Sequence, residues 1–256
     1  MRSARYASLC LLLAALVLGG VARAAATPAP TQVDEEARRI AESVLETMGG
    51  REAWDATRCV SWVFFGGRQH YWDKWTGDIR IEIPASDRGP QRLILMNLNS
   101  REGRVWRDGQ ELSGDELAEG LAGGWRSWVN DSYWMFMPYK LLDPGVNLAY
   151  MGEELMEDDR EADVLQLTFE AVGVTPQNKY LVYVAKDSGL VEQFNYFPTR
   201  DDAEPRFARP WTGWQQFGNI MLSTDRGNDH DWEIHVYDEL PGALFTDPEF
   251  TMDSRS

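Results

Sequence analysis

From Thr57 onward the chain alternates apolar and polar side chains in short runs, and Gly, Asp and Asn punctuate the gaps between them. Alternation of period two marks a half-buried strand, and connections this short join antiparallel neighbours, since a parallel crossover needs about a dozen residues or more. The pattern predicts strands over 59–65, 68–75, 78–83, 92–98 and 104–106, with turns at Gly66-Gly67, Thr76-Gly77, 84–90 and 100–103. It resumes over 146–150, 163–169, 179–184, 190–196, 213–222 and 232–237, with a hairpin turn at 186–189 and a charged, irregular loop over 198–210. Leu165, Leu167 and Phe169 alternate with polar neighbours, as do Trp232, Ile234 and Val236, so these strands keep one wet face. Ten or eleven such strands in one sequence-local order must curl as they twist. The concave face of a curled, open sheet has to be filled.

The segment between the two sets of strands supplies a filler. Ser113 followed by Asp115 and Glu116 reads as a helix start, and W-R-S-W-V-N-D-S-Y-W-M-F-M-P-Y-K-L-L-D-P-G follows from Trp125 to Gly145. Aromatic side chains bury about 150–250 Å² each, so this stretch needs a large apolar surface to lie against. Gly123-Gly124, Asn130-Asp131 and Pro138 divide it, which predicts two or three short helices within an insert over 113–142. A further helix opens the domain, because Ala37, Ile40, Ala41, Val44, Leu45 and Met48 recur at steps of three and four after a capping Asp34 and before Gly49-Gly50. A short turn over 51–56 then carries Trp54. The expected fold is mainly β with α: a strongly curved antiparallel sheet forming an unclosed half-barrel, with an N-terminal helix and a mid-chain helical lid.

Arg2 and Arg5 precede an apolar run over 9–21, and Ala22-Arg23-Ala24 offers a small-x-small cleavage site. These mark 1–24 as a signal peptide, too short to span a bilayer comfortably. An Ala/Thr/Pro linker over 25–33, disordered until Asp34, leads into a single domain over 34–256 without internal repeats. No later segment is apolar for long enough to be a transmembrane helix. Cys59 is the one cysteine after the leader, so no intrachain disulfide forms and stability rests on a core fed by eleven Trp, ten Phe and the eight Tyr that follow the leader. The formal charge of −16, with 41 acidic residues, excludes nucleic acid and anionic membrane surfaces as steady partners. Leader and cysteine economy together fit a periplasmic or secreted bacterial protein.

Catalytic signatures are weak. His70 beside Asp73 lacks a Ser in a glycine elbow, so a hydrogen-bonded structural role is expected. The segment 225–231 with Glu233 and His235 misses both the calcium-loop and the zinc spacing and reads as a solvated turn, so no metal or cofactor is expected. Acidic runs over 153–163 and 201–204 can supply paired carboxylates for a hydrolase acting on glycans, with Trp rings as a subsite, although most such runs are loops. The aromatic stretch itself is either plain core or the lining of a ligand cavity. On the second reading Trp125, Trp128, Tyr133, Trp134, Phe136, Met137 and Leu141 form the lid, and Trp62, Phe64 and Trp72 form the wall. Arg68, Arg80 and Arg126 then anchor a head group, or else pair with local acids.

The order of signal, helix, strands, helical insert and strands, the segment H-Y-W-D-K-W-T-G-D-I-R over 70–80, the hairpin K-D-S-G-L-V-E-Q-F over 186–194 and the L-L-D-P-G ending of the aromatic stretch provide a further pointer. In these the chain resembles the LolA/LolB-like superfamily of periplasmic lipoprotein carriers and their outer-membrane lipoprotein-sorting relatives. The resemblance implies an unclosed β-barrel whose apolar cavity receives acyl chains under a lid of short helices. It departs from the carriers in length, acidity and Trp content. The expected function is therefore a non-enzymatic, exported binder of a lipid or other amphiphile, serving envelope lipid or lipoprotein trafficking. The alternatives are the carboxylate hydrolase and an envelope scaffold that docks a protein partner.

Overall fold

The computed structural model describes residues 32–65, 67–227 and 232–252, so the expected signal peptide and most of the linker lie outside the described residues. Helix α1 spans Glu35–Thr47, and the Asp34 carboxylate accepts from the Ala37 amide at 2.6 Å, as the capping signal requires. The last linker residues do not dangle as expected. Val33 forms a parallel bridge to Leu148, Leu148 donates to the Gln32 carbonyl and Asp34 donates back to the Leu148 carbonyl. Where a turn was expected, 50–56 forms a second helix, α2 (Gly50–Ala56), which buries Trp54 against Phe136 and Tyr139. Its seven residues are too few for a helical period to show in sequence.

The strands fall where alternation places them: β1 (Cys59–Phe64), β2 (Arg68–Asp73), β3 (Asp78–Ile83), β4 (Arg92–Asn97) and β5 (Gly103–Arg107), with a short β6 (Gln110–Glu111) added by the Asp108-Gly109 turn. The second set is β7 (Val146–Leu155), β8 (Glu161–Phe169), β9 (Lys179–Ala185), β10 (Val191–Phe197), β11 (Phe207–Pro210), β12 (Thr212–Phe217), β13 (Ile220–Asp225) and β14 (Ile234–Tyr237). Two expectations change. The run over 213–222 is a hairpin, because Gly218-Asn219 turns the chain between β12 and β13. The charged loop over 198–210 contains β11, whose Phe207 packs on Tyr196 and Phe194.

Every ladder is antiparallel, and hydrogen bonding groups the strands in the orders β14-β1-β2-β3-β4-β5-β6, β11-β10-β9-β8-β7 and β12-β13. Single backbone bonds stitch these groups together. Trp211 donates to the Glu192 carbonyl where β11 runs into β12, and Trp232 donates to the Thr224 carbonyl between β13 and β14. The result is one large antiparallel sheet, curled but not closed into a barrel, with β7 and β6 at its two free ends. Its concave face carries Trp62, Phe64, Leu165, Leu167, Val182, Phe194 and Leu222, buried together with Ile40 and Val44 of α1.

Between the free ends runs one helix, α3 (Gly114–Phe136), followed by a 3-10 turn, Met137–Lys140. The expected break at Gly123-Gly124 does not occur. A Cβ at Gly120 would sit 3.0 Å from Val105 and one at Gly124 would sit 2.9 Å from Ile94. These glycines let the helix lie close on β4 and β5, and that packing outweighs their cost in helix propensity, about 1 kcal/mol each. Leu117, Leu121, Trp125 and Trp128 form the helical stripe that meets Ile79, Ile81 and Ile94. The C-terminal end turns into the main core, where Met135, Phe136 and Met137 are each 1% exposed or less.

A short helix, α4 (Ala243–Thr246), ends the described chain on the convex face.

Candidate functional site

Asp131 enters α3 one turn before its end and is fully buried. Its carboxylate accepts from Arg68 Nε at 2.5 Å and Nη2 at 2.8 Å, from His70 Nε2 at 2.7 Å and from Asn130 Nδ2 at 3.0 Å. Arg68 and His70 both project from β2, so this cluster ties the helix to the sheet at one point. Burial alone would raise the Asp131 pKa, but the bonds from His70 and Arg68 outweigh it and hold the carboxyl below its usual range. Burial, opposed in part by Asp131, holds the His70 pKa below that of free imidazole. The histidine is thus neutral with its proton on Nε2. Its ring stacks on Trp62 at 4.5 Å, and Nδ1 finds no partner among the described residues. Asp73, the partner suggested by sequence proximity, instead pairs with Arg58 at 3.0 Å.

Arg226 is buried between the rings of Trp211 and Trp232, 3.6 and 4.6 Å from their centroids. Its guanidinium donates to Ser223 Oγ at 2.5 Å, to the Asp225 carbonyl at 2.9 Å and to the Trp134 carbonyl at 3.3 Å. Removal from water pushes its pKa well down.

Beside α3, on the flank of the five-stranded half, a cavity of about 190 Å³ opens. Trp128, Tyr133 and Trp134 of the helix form one wall, and Val146, Phe169, Val172, Val174 and Tyr180 form the other. Lys140 and Asp143 line it as well, paired with each other at 3.1 Å and both partly exposed. Two polar groups carried by lining residues, the Trp128 Nε1–H and the Tyr133 hydroxyl, are buried with no hydrogen-bond partner among the described residues. Burial first, then the neighbouring Tyr180 and Asp143, push the Tyr133 hydroxyl pKa far up. A wider groove of about 630 Å³ lies against the linker residues Gln32 and Val33, lined by polar side chains such as Gln166, Thr168 and Arg200.

The residues singled out in the sequence separate into three groups. Trp128, Tyr133 and Trp134 line the cavity. Trp62, Phe64, Phe136, Met137 and Leu141 are buried in the main core, and Trp72 reaches Trp128 edge-on at 5.2 Å. Trp125 lies at the seven-stranded half with Arg101 over its ring at 3.7 Å. The arginines stand apart from the cavity. Arg68 is engaged by Asp131, Arg80 donates to the carbonyls of Leu244 and Asp247 on the convex face, and Arg126 is exposed. Of the 225–235 segment, 228–231 lie outside the described residues, and among the rest His235 lies 3.3 Å from Glu233 with both exposed. Sequence reasoning missed Asp131, Lys140, Asp143, Tyr180 and Arg226. For Asp131 a signal existed: a carboxylate set within the apolar run W-V-N-D-S-Y-W must either break the helix or be paired.

No family model and no curated protein matches the chain. Among solved structures it is similar to a DUF1329 family protein from Desulfovibrio piger ATCC 29098, at 16% identity and a TM-score of 0.42, over 82% of this chain and 96% of that one. It is also similar to MucB in complex with MucA(peri), at 16% identity and a TM-score of 0.22, over 63% of this chain and 49% of that one. The chain therefore spans about half the length of the MucB chain. At these values both likenesses are distant. Among the described residues no helix is long and apolar enough to cross a membrane.

Proposed function

We propose that this protein is an exported, non-enzymatic binding protein that holds the apolar part of a lipid or other amphiphile in the cavity beside α3. The observation that carries the reading is the cavity itself: an open space of about 190 Å³ with aromatic and aliphatic walls and a few polar groups at one side. That is how small-molecule sites are built. Its size sets the scale of the occupant. Apolar cavities of roughly 150 Å³ take up benzene, whereas drug-sized ligands occupy about 300–1,000 Å³. One ring or one short acyl segment fits, and several long chains do not. Arg2 and Arg5 ahead of the apolar run support export, and the resemblance to lipoprotein carriers supports an amphiphilic cargo in the envelope. Among the described lining residues of this cavity Asp143 is the one acid, whereas a paired-carboxylate hydrolase needs two.

The test is native mass spectrometry of protein purified from its host, together with displacement of a hydrophobic dye by short-chain amphiphiles. Bound small-molecule mass, and dye binding abolished by Val174→Trp, which fills the cavity, are expected. Apo protein throughout, with dye binding unchanged in that variant, overturns the reading.

A further inference from the structure

We infer that the ligand of this cavity is a small carboxylic acid: an apolar ring or short chain in the aromatic pocket, with its carboxylate bound by Lys140. The inference rests on the reading of the cavity as a binding site and adds the chemistry of the polar end. Three hydrogen-bond donors belong to the lining, the Lys140 ammonium, the Trp128 indole N–H and the Tyr133 hydroxyl. The first two can only donate. The last two are buried without a partner among the described residues, a costly state; an incoming acceptor can relieve both, whereas an incoming donor can be accepted only by the Tyr133 oxygen and leaves the Trp128 N–H unmet.

Lys140 is the only cation among the described lining residues. Asp143 holds it at 3.1 Å while both remain partly exposed, so the ammonium is positioned at solvent and still has two protons to donate. In a chain of formal charge −16, a cation beside an apolar opening is what allows an anion to approach. Asp143 tempers that attraction, since the ligand carboxylate must share the ammonium with it. A ligand ending in an ammonium group would meet Lys140 as a like charge and leave the Trp128 N–H, which can only donate, unmet. A ligand ending in a hydroxyl would gain only neutral hydrogen bonds, which are about half as strong as charge-assisted ones.

The experiment is isothermal titration of the full chain at neutral pH with octanoate, octanol and octylammonium. Octanoate is expected to bind about tenfold more tightly than octanol, as one charge-assisted hydrogen bond provides, and octylammonium most weakly. Lys140→Gln should bring octanoate down to the level of octanol while leaving octanol unchanged, and Lys140→Arg should retain the preference. Asp143→Asn, which frees the ammonium, should tighten octanoate several-fold. The thermal midpoint of each variant shows that it is folded. Equal binding of octanoate and octanol by the native chain, strongest binding of octylammonium, or an unaltered preference in Lys140→Gln overturns the carboxylate assignment while leaving the cavity a binding site. Binding of none of the three overturns both.

Discussion

The guanidinium of Arg226 donates to the carbonyl of Trp134, an acceptor whose helical donor would be the amide of residue 138. That residue is Pro138, which has no N–H to give. Proline therefore ends the regular helix, and a side chain from the β13 end of the sheet takes over the orphaned carbonyl. Arg226→Met should destabilise the protein by about 1–3 kcal/mol through the unsatisfied carbonyl. Pro138→Ala in that background restores a backbone donor and should recover part of the loss. Urea denaturation of the two single variants and the double variant measures the coupling, and purely additive effects would contradict this account.

The Asp131 cluster predicts both a large mutational effect and a pH dependence. Asp131→Ala removes the partner of the buried His70 and of the partly exposed Arg68 and should cost about 1–3 kcal/mol. The His70 pKa is lower in the folded chain than in the unfolded one. Below about pH 6.5 the unfolded state takes up a proton that the folded state refuses, so stability falls with acidification from there down to the folded pKa. The slope from this one group reaches at most about 1.4 kcal/mol per pH unit. The Asp131 pKa is also depressed, so its contribution is present above about pH 3.9 and is lost as pH falls further through its folded value. His70→Gln keeps a donor for Asp131 and should flatten the stability profile below about pH 6.5 relative to the native chain. An identical profile in that variant would assign the dependence to other groups.

Adjacent glycines in α3 should respond oppositely to alanine. At Gly124 a Cβ meets Ile94 Cγ2 at 2.9 Å, a branched atom that cannot swing away. At Gly123 it meets only the end of Arg126, at 3.8 Å. Gly123→Ala should stabilise by about 1 kcal/mol through helix propensity. Gly124→Ala should destabilise by roughly 1–3 kcal/mol through overpacking. Thermal melts of the two variants decide the matter by the sign of each shift.

Tyr133→Phe removes a buried hydroxyl that has no partner. The ligand-free protein should become more stable by about 1 kcal/mol, because the desolvation cost of the hydroxyl disappears. Binding of a carboxylate should weaken in the same variant. Loss of stability on this substitution would mean that the hydroxyl is hydrogen-bonded in solution.

Much of the fold was legible because it rests on local pattern. Period-two runs located the strands, and the Asp34 cap with its three-and-four spacing located α1. The failures came where distant contacts override local preference. Gly123-Gly124 reads as a break, yet Ile94 and Val105 hold the helix through it. The charged surroundings of Phe207 hide β11, which forms because Tyr196 and Phe194 lie beside it. The candidate site was half legible. Trp128, Tyr133 and Trp134 stand out by composition, but Tyr180 and Val172 come to the same space from segments distant in sequence.

The sequence by itself determined the antiparallel, mainly β character of the protein and the presence of an aromatic insert that must be covered, because both follow from periodicity and from the cost of exposing apolar surface. Only the tertiary structure decided that the insert is one helix, that Asp131 is paired across 63 residues of chain with Arg68, and that a cavity remains beside the packed rings. Those outcomes depend on how surfaces distant in sequence fit together, and no local pattern records such a fit.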